Sequence, residues 1–171
     1  HIANFASVSK VVTSILAHRL VDELQSRGVN VDFNTDLSTV VPFNRPIKGG
    51  GQMFPPGTTI DRLLTHTAGA ARDSKGFEPA LPHDETRRER LNPTSDVAWE
   101  LNPSMVQSRY FDAEQPTFRY SNQGYNFLQR VIGMLAKEHR LTDTPTRNDL
   151  DMFQNLAAER LFAPLGVEDQ Q

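Results

Sequence analysis

The hydrophobic pattern at the start of the chain predicts one long amphipathic helix from about Ser7 to Gln25. Arg27 and Gly28 follow as the cationic last turn and the glycine that commonly end a helix. The apolar positions recur at spacings of three, four and seven residues, and they are Val8, Val11, Val12, Ile15, Leu16, Leu20, Val21 and Leu24. Because such positions share one helix face, we expect this helix to be mostly buried along that face.

Three later segments also have helical patterns. Thr58 to Thr67 predicts a short helix with a threonine cap, which Gly69 is expected to stop. A helix with Tyr125, Leu128, Val131, Ile132 and Leu135 on its apolar face is predicted after Tyr120-Ser121-Asn122. The last helix is predicted from about Leu150 to Pro164-Leu165-Gly166.

The segments between these helices are less regular. Residues 42–57 are rich in proline and glycine and predict an extended, irregular connection. A helix over Pro93 to Leu101, which contains Trp99, is predicted between two loops, and residues 142–148 form a polar loop. Strand signals are few, and no repeat or linker divides the sequence. We therefore expect a mostly helical chain in which residues 1–171 belong to one domain.

Composition excludes several classes of function. The net charge of −3 argues against nucleic acid as the main partner. The absence of cysteine excludes disulfides, thiolate metal sites and a cysteine nucleophile. The five histidines show no short metal-ligand spacing, and no apolar run reaches membrane-spanning length. We expect no metal, no organic cofactor, no nucleic-acid partner and no membrane span in this chain.

The first predicted helix carries a candidate nucleophile. Ser7 and Lys10 are three residues apart, so the hydroxyl and the amine lie on the same helix face. A serine hydroxyl is a weak nucleophile unless a neighbouring group takes its proton. Ser7 by itself has a simpler interpretation as the N-cap of the helix. The pair is therefore a hypothesis that further residues must support.

Four stretches of the sequence provide that support. They are Phe5-Ala6-Ser7-Val8-Ser9-Lys10, Leu63-Leu64-Thr65-His66-Thr67-Ala68-Gly69, Phe118-Arg119-Tyr120-Ser121-Asn122-Gln123-Gly124-Tyr125 and Pro164-Leu165-Gly166. In order and rough spacing they resemble the serine β-lactamase-related family of the class C type, which includes D-alanyl-D-alanine carboxypeptidases, D-aminopeptidases and esterases. A lone Ser-x-x-Lys motif is common by chance, whereas its combination with His-Thr-x-Gly and Tyr-x-Asn is specific.

The resemblance implies a role for each of four residues. Ser7 would be the acylated nucleophile, and Lys10 would accept its proton. Tyr120 would exchange a proton with the leaving group, and Asn122 would bind the substrate amide and orient Lys10. The backbone N–H of Ser7 would be one donor of an oxyanion hole. The implied function is a serine hydrolase that forms an acyl-enzyme on an amide, β-lactam or ester substrate.

Each implied role has a structural alternative. Tyr120 alone would be a half-buried core residue, and Asn122 would cap the helix that follows it. His66 is interpreted as structural, with its ring satisfied by backbone groups near the first helix. Three aromatic residues could line the pocket or pack in the core, namely Trp99, Tyr110 and Phe111. For the whole chain, the alternative is a non-catalytic binding or scaffolding module.

The third motif of the family, Lys-Thr-Gly or His-x-Gly on a strand beside the site, is absent from this sequence. In the family that strand supplies the second oxyanion donor. The expected fold class is therefore α+β, β-lactamase/transpeptidase-like, with residues 1–171 as mostly the helical subdomain, lacking most of the antiparallel sheet. We expect the chain alone to be incompletely folded or inactive, and a second segment or chain to supply the sheet.

The resemblance also sets expectations about substrate and location. The partner would be a small-molecule or peptide-like substrate, and the protein would be periplasmic or secreted. Which of lactam, D-amino-acid peptide or ester is the substrate depends on pocket residues in the missing strand and in the variable region 70–117.

Overall fold

The computed structural model describes residues 6–41, 43–44, 54–70, 116–143 and 149–167, and the regular elements in these ranges are all helical. Within these ranges the α-helices are α1 (Ser9–Ser26), α2 (Ile60–Leu64), α3 (Asn122–Glu138) and α4 (Asp149–Ala157). A π-helix, Ala158–Phe162, continues α4, and short 3₁₀ turns occur at Ala6–Val8, Leu37–Thr39 and Ala163–Leu165. The predicted helix over 93–101 lies outside the described residues, as do Trp99, Tyr110 and Phe111.

Helix α1 buries only part of its apolar pattern. Its buried residues include Leu16, Leu20 and Leu24, each at most 1% exposed. Val8, Val11 and Ile15, which we call the exposed stripe, are instead 62%, 57% and 47% exposed. The expectation of a mostly buried face is therefore wrong for the N-terminal half of the helix, because the part of the chain that the structure describes leaves this side uncovered.

Helix α3 lies at the centre of the described residues and packs against α1, α2 and α4. It is the most buried element, with its main apolar contacts made by Tyr125, Phe127, Leu128, Val131, Ile132, Leu135 and Ala136. At Gly133 the helix touches the start of α4 so closely that a Cβ there would overlap the backbone carbonyl of Asp149. The missing side chain at Gly133 is what allows the two helices this approach.

The connection between α1 and α2 is fixed by aromatic packing and one carboxylate. The rings of Phe43, Phe54 and Phe127 form two edge-to-face contacts, with centroids 5.5 and 6.2 Å apart, which attach the connection to α3. Asp36 accepts hydrogen bonds from the backbone N–H groups of Ser38 (2.9 Å) and Gly57 (2.7 Å). These contacts bring the chain back to the start of α2.

Helix α2 is shorter than predicted. Thr59 caps it as expected, since its hydroxyl accepts the N–H of Arg62, but the helix ends at Leu64 rather than near Thr67. His66 then takes a left-handed backbone with φ of 59°, which no α-helix can continue. The turn at His66 comes before the predicted stop at Gly69, which also has a positive φ of 66°.

Helix α1 is tied to the end of the last helix by a charged cluster. Arg160 contacts both carboxylate oxygens of Glu23, at 3.1 and 3.3 Å, and donates to the carbonyl of Leu141 at 2.6 Å. Burial acts to raise the pKa of Glu23, but hydrogen bonds and positive charges from Arg160 and Arg27 outweigh it and lower the pKa. Across the described ranges, no helix combines the length and apolar character needed to cross a membrane.

Candidate active site

Ser7 lies in the 3₁₀ turn that leads into α1, and its side chain is exposed. The N-cap of α1 is Val8, with no side-chain cap, so the interpretation of Ser7 as a helix cap is wrong. The Ser7 hydroxyl instead lies 2.8 Å from the hydroxyl of Tyr120 and 3.3 Å from the Nζ of Lys10. It therefore contacts two groups that can exchange a proton.

Lys10 connects the hydroxyl of Ser7 to Asn122. Its Nζ donates to the Oδ1 of Asn122 at 2.8 Å, in addition to its contact with Ser7. The same Nζ lies 5.1 Å from the ring centroid of Tyr120 and 5.5 Å from that of Tyr125, which are cation–π distances. The structure thus brings together all four residues of the sequence hypothesis, although more than one hundred positions separate Ser7 and Lys10 from Tyr120 and Asn122.

The N-terminus of α3 positions Tyr120 and Asn122. Ser121 is the N-cap, with extended backbone and a side chain that accepts the N–H of Gly124 at 2.8 Å. The interpretation of Asn122 as the cap is therefore wrong, because Asn122 is already the first residue of the helix and its amide oxygen accepts from Lys10. Tyr120 precedes the cap and is 38% exposed, so it is not a core residue either.

His66 contacts the Tyr120 segment through both its backbone and its ring. Its carbonyl accepts the N–H of Arg119 at 2.8 Å, and its Nδ1 accepts the N–H of Ser121 at 3.2 Å. Its ring centroid is 4.7 Å from that of Tyr120 and 5.1 Å from that of Tyr125. Burial, helped by the positive charge of Lys10, lowers the pKa of His66 below its ordinary value of 6.5.

The sequence hypothesis did not include Tyr125 and Ser14, both of which contact Lys10. The Tyr125 hydroxyl donates to the carbonyl of Leu64 at 3.2 Å and lies 3.1 Å from the Oγ of Ser14. Ser14 donates in turn to the backbone carbonyl of Lys10 at 2.9 Å. The one available signal was the position of Tyr125, three residues after Asn122, which places both on the same face of α3.

The donor set of this site suits proton transfer and not metal binding. It contains a hydroxyl, a phenol, an amine and an amide, and metal sites need carboxylate, imidazole or thiolate ligands in a cluster. Among the described residues, no group of three or more His, Cys, Asp or Glu side chains could hold a metal ion. What the arrangement can do is activate Ser7 and return its proton to a departing group.

Comparisons with known proteins place the chain in a family. The family model described as Beta-lactamase matches residues 1–171, which is the whole chain. Comparison with curated proteins and with solved structures gave no match.

Proposed function

Because this chain belongs to the beta-lactamase family, we propose that it is a serine hydrolase acting through an acyl-enzyme on an amide, β-lactam or ester bond. The observation that carries the proposal is the position of the Ser7 hydroxyl, within 2.8 Å of Tyr120 and 3.3 Å of Lys10. Activation of a serine requires a proton acceptor within hydrogen-bond reach, and Ser7 has two candidates.

In the proposed acylation, the Oγ of Ser7 forms a bond to the carbonyl carbon of the substrate. Lys10 accepts the Ser7 proton, while Asn122 holds its Nζ at 2.8 Å. The backbone N–H of Ser7 stabilises the negative charge that develops on the carbonyl oxygen. This step produces a tetrahedral intermediate with one oxyanion donor from this part of the chain.

Tyr120 completes the step by protonating the leaving group. As the bond between the carbonyl carbon and the leaving nitrogen or oxygen breaks, the phenol supplies the proton and regains one through Lys10. Water then attacks the acyl-enzyme by the reverse sequence of proton transfers and releases the acid and Ser7. Both Ser7 and Tyr120 are solvent-exposed, which agrees with access by substrate and water.

The α+β architecture is part of the same proposal. The exposed stripe on α1 lies directly beside Ser7, and an uncovered apolar helix face is where a sheet could pack. We propose that the antiparallel sheet covers this stripe and brings the second oxyanion donor. Loss of one such donor costs about 3 kcal/mol of transition-state stabilisation, so its supply would raise the rate a few hundredfold.

The test is covalent labelling of the full-length protein. A fluorophosphonate probe, followed by mass spectrometry of peptides, should give one adduct on the peptide that contains Ser7. The adduct should disappear in Ser7→Ala and persist in Ser9→Ala, because Ser9 is the first residue of α1 and has no place in the proposed mechanism.

Substrate class is tested with the same protein. A penicillin, a D-Ala-D-Ala peptide and a p-nitrophenyl ester each acylate Ser7 if they are substrates, and their relative rates rank the three classes. A folded full-length protein with no adduct from any probe would contradict the proposal and favour the alternative of a non-catalytic binding module.

A further inference from the structure

We propose that His66 is a positioning residue for this reaction, which holds the backbone on both sides of Tyr120 and so fixes the phenol against Ser7. The inference rests on the proposed function, because it assigns a role in that same site. His66 touches neither the Ser7 hydroxyl nor the Lys10 amine by hydrogen bond in the described structure, so it acts through the segment that carries Tyr120.

Two hydrogen bonds to His66 hold the segment from Arg119 to Ser121, and we call them together the clamp. The His66 carbonyl accepts the N–H of Arg119 at 2.8 Å, and its Nδ1 accepts the N–H of Ser121 at 3.2 Å. In extended backbone, alternate N–H groups point to the same side, and Ser121 is extended with φ of −140° and ψ of 118°. One residue can therefore hold positions 119 and 121 together and leave Tyr120 between them.

The backbone of His66 is adapted to this task. Its φ of 59° is a left-handed backbone conformation that residues with a Cβ rarely adopt. Such a disfavoured conformation persists only where surrounding contacts enforce it, and such positions cluster at functional sites. At His66 the conformation turns the chain directly after α2 and presents carbonyl and ring to the same segment.

The ring also packs against the phenol that it positions. Its centroid is 4.7 Å from the Tyr120 ring and 5.1 Å from the Tyr125 ring, and Phe118 meets it edge-on at 5.8 Å. The phenol of Tyr120 is thus supported by a ring contact on the side chain and by hydrogen bonds on both neighbouring residues.

The clamp depends on the protonation state of the ring, since Nδ1 can accept from Ser121 only without a proton. Burial and the charge of Lys10 keep the pKa of His66 below 6.5. The titratable groups that face the ring, among the described residues, are Lys10 of α1, Tyr125 of α3 and Tyr120, which precedes α3. The clamp is therefore intact above pH 6.5 and is released as the pH falls through the lowered pKa.

Two substitutions separate the ring bond from the backbone conformation. Asparagine and glycine both tolerate a positive φ, so neither is strained at this position. In His66→Asn the amide oxygen takes the place of Nδ1 as acceptor but does not titrate. In His66→Gly the carbonyl bond to Arg119 remains possible, whereas the acceptor for Ser121 is lost. Both variants lose the ring and its titration, and they differ from each other in the side-chain acceptor for Ser121, which only His66→Asn keeps.

The rate of Ser7 labelling by a fluorophosphonate is the first measurement, made from pH 5 to pH 8 on the full-length protein. At pH 7.5, His66→Gly should label about a hundredfold more slowly, the usual effect of misplacing a catalytic group by an ångström. His66→Asn should label within a few-fold of the wild type. Its rate should also lack the acidic decline with a midpoint below pH 6.5 that the wild type shows.

The amide ¹⁵N shift of Ser121 is the second measurement, and it does not depend on catalysis. It should titrate with the wild-type midpoint and stay constant in His66→Asn. If the wild type labels and His66→Gly labels equally fast, or His66→Asn keeps the acidic decline, the positioning role is overturned. If the wild type does not label, the proposed function fails and the role with it, while the Ser121 titration still reports whether the clamp exists.

Discussion

At the scale of single residues, the site is organised around the Nζ of Lys10. Asn122 fixes this atom from one side, and the rings of Tyr120 and Tyr125 lie beneath it at 5.1 and 5.5 Å. The two rings and the amide limit where the amine can go, and groups fixed before the reaction need no costly reorganisation during it. The Ser7 hydroxyl is the partner that remains at the exposed end of this arrangement.

The adjacent residues Ser121 and Asn122 have separate roles that substitution can distinguish. Ser121→Ala removes the cap of α3 and should lower the free energy of unfolding by about 1 kcal/mol. Asn122→Ala removes the acceptor for Lys10 and should slow Ser7 acylation roughly 10- to 100-fold, as expected for a misplaced catalytic group. Unfolding in urea and the fluorophosphonate labelling rate measure the two effects.

The two variants serve as controls for each other. Asn122→Ala should leave the unfolding midpoint nearly unchanged, because Asn122 does not cap the helix and alanine is favourable inside one. A large loss of stability in Asn122→Ala with unchanged labelling would reverse the assignment and return Asn122 to the role of a cap.

The proximity of the four motif residues was predictable from the sequence, whereas the contacts of their immediate neighbours were not. The sequence motifs point to Ser7, Lys10, Tyr120 and Asn122, and the structure brings them together. The choice of cap could not be made, because serine and asparagine are about equally good N-caps and stand side by side. Periodicity alone predicts Tyr125 as a core residue, and only its three-dimensional contacts show that its ring faces Lys10 and that its hydroxyl contacts Ser14.

At the scale of elements, helices were predictable where a periodic pattern ran for many residues. The pattern of α3 predicted its position after Tyr120-Ser121-Asn122, and α1 differs from its prediction by two residues at the N-terminus. The end of α2 was not predictable, because His66 ends it with a left-handed backbone that glycine or asparagine adopts more readily. The contacts of the His66 carbonyl and ring with the Tyr120 segment, which lies far along the sequence, account for that conformation.

The contact between α3 and α4 gives a prediction at this scale. Gly133→Ala places a methyl group into the backbone carbonyl of Asp149, and overpacking of this kind costs about 1–3 kcal/mol. Gly124→Ala in the same helix is the matched control, since its Cβ would make ordinary contacts with the side chains of Ser121, at 3.4 Å, and Ala70, at 3.8 Å. There the gain in helix propensity should raise stability by up to about 1 kcal/mol.

Urea unfolding of both variants measures this difference, and the two midpoints should move in opposite directions. If Gly133→Ala were as stable as the wild type, α4 would have to move away from α3 at no cost, and the close approach at Gly133 would carry no packing energy.

At the scale of the whole molecule, the residues that the structure describes pack against one side of α1 and leave the other uncovered. Its C-terminal half is buried against α3 and tied to the last helix by Glu23 and Arg160, whereas the exposed stripe stands beside Ser7. The helical pattern of the sequence could not reveal this, because it treats all apolar positions of α1 alike. The sheet that we propose would supply a reason, namely that another layer covers the N-terminal half.

Substitution in the exposed stripe tests that reason on the 171-residue chain. Val11→Gln combined with Ile15→Gln removes apolar surface, and glutamine has a helix propensity at least as favourable as that of the residues it replaces. If nothing in the chain covers the stripe, the double variant should keep its helical circular dichroism and bind less of the hydrophobic dye ANS. Its free energy of unfolding should stay within about 0.5 kcal/mol of the wild type, as is usual for surface positions.

Leu16→Gln is the matched control on the other side of the same helix. Leu16 is fully buried, so a polar residue there should cost more than about 3 kcal/mol, lower the helicity and increase dye binding. If the double variant at Val11 and Ile15 behaved like Leu16→Gln, a segment of this chain itself would pack on the stripe. The cover would then not come from an additional sheet, and the proposed source of the second oxyanion donor would be wrong.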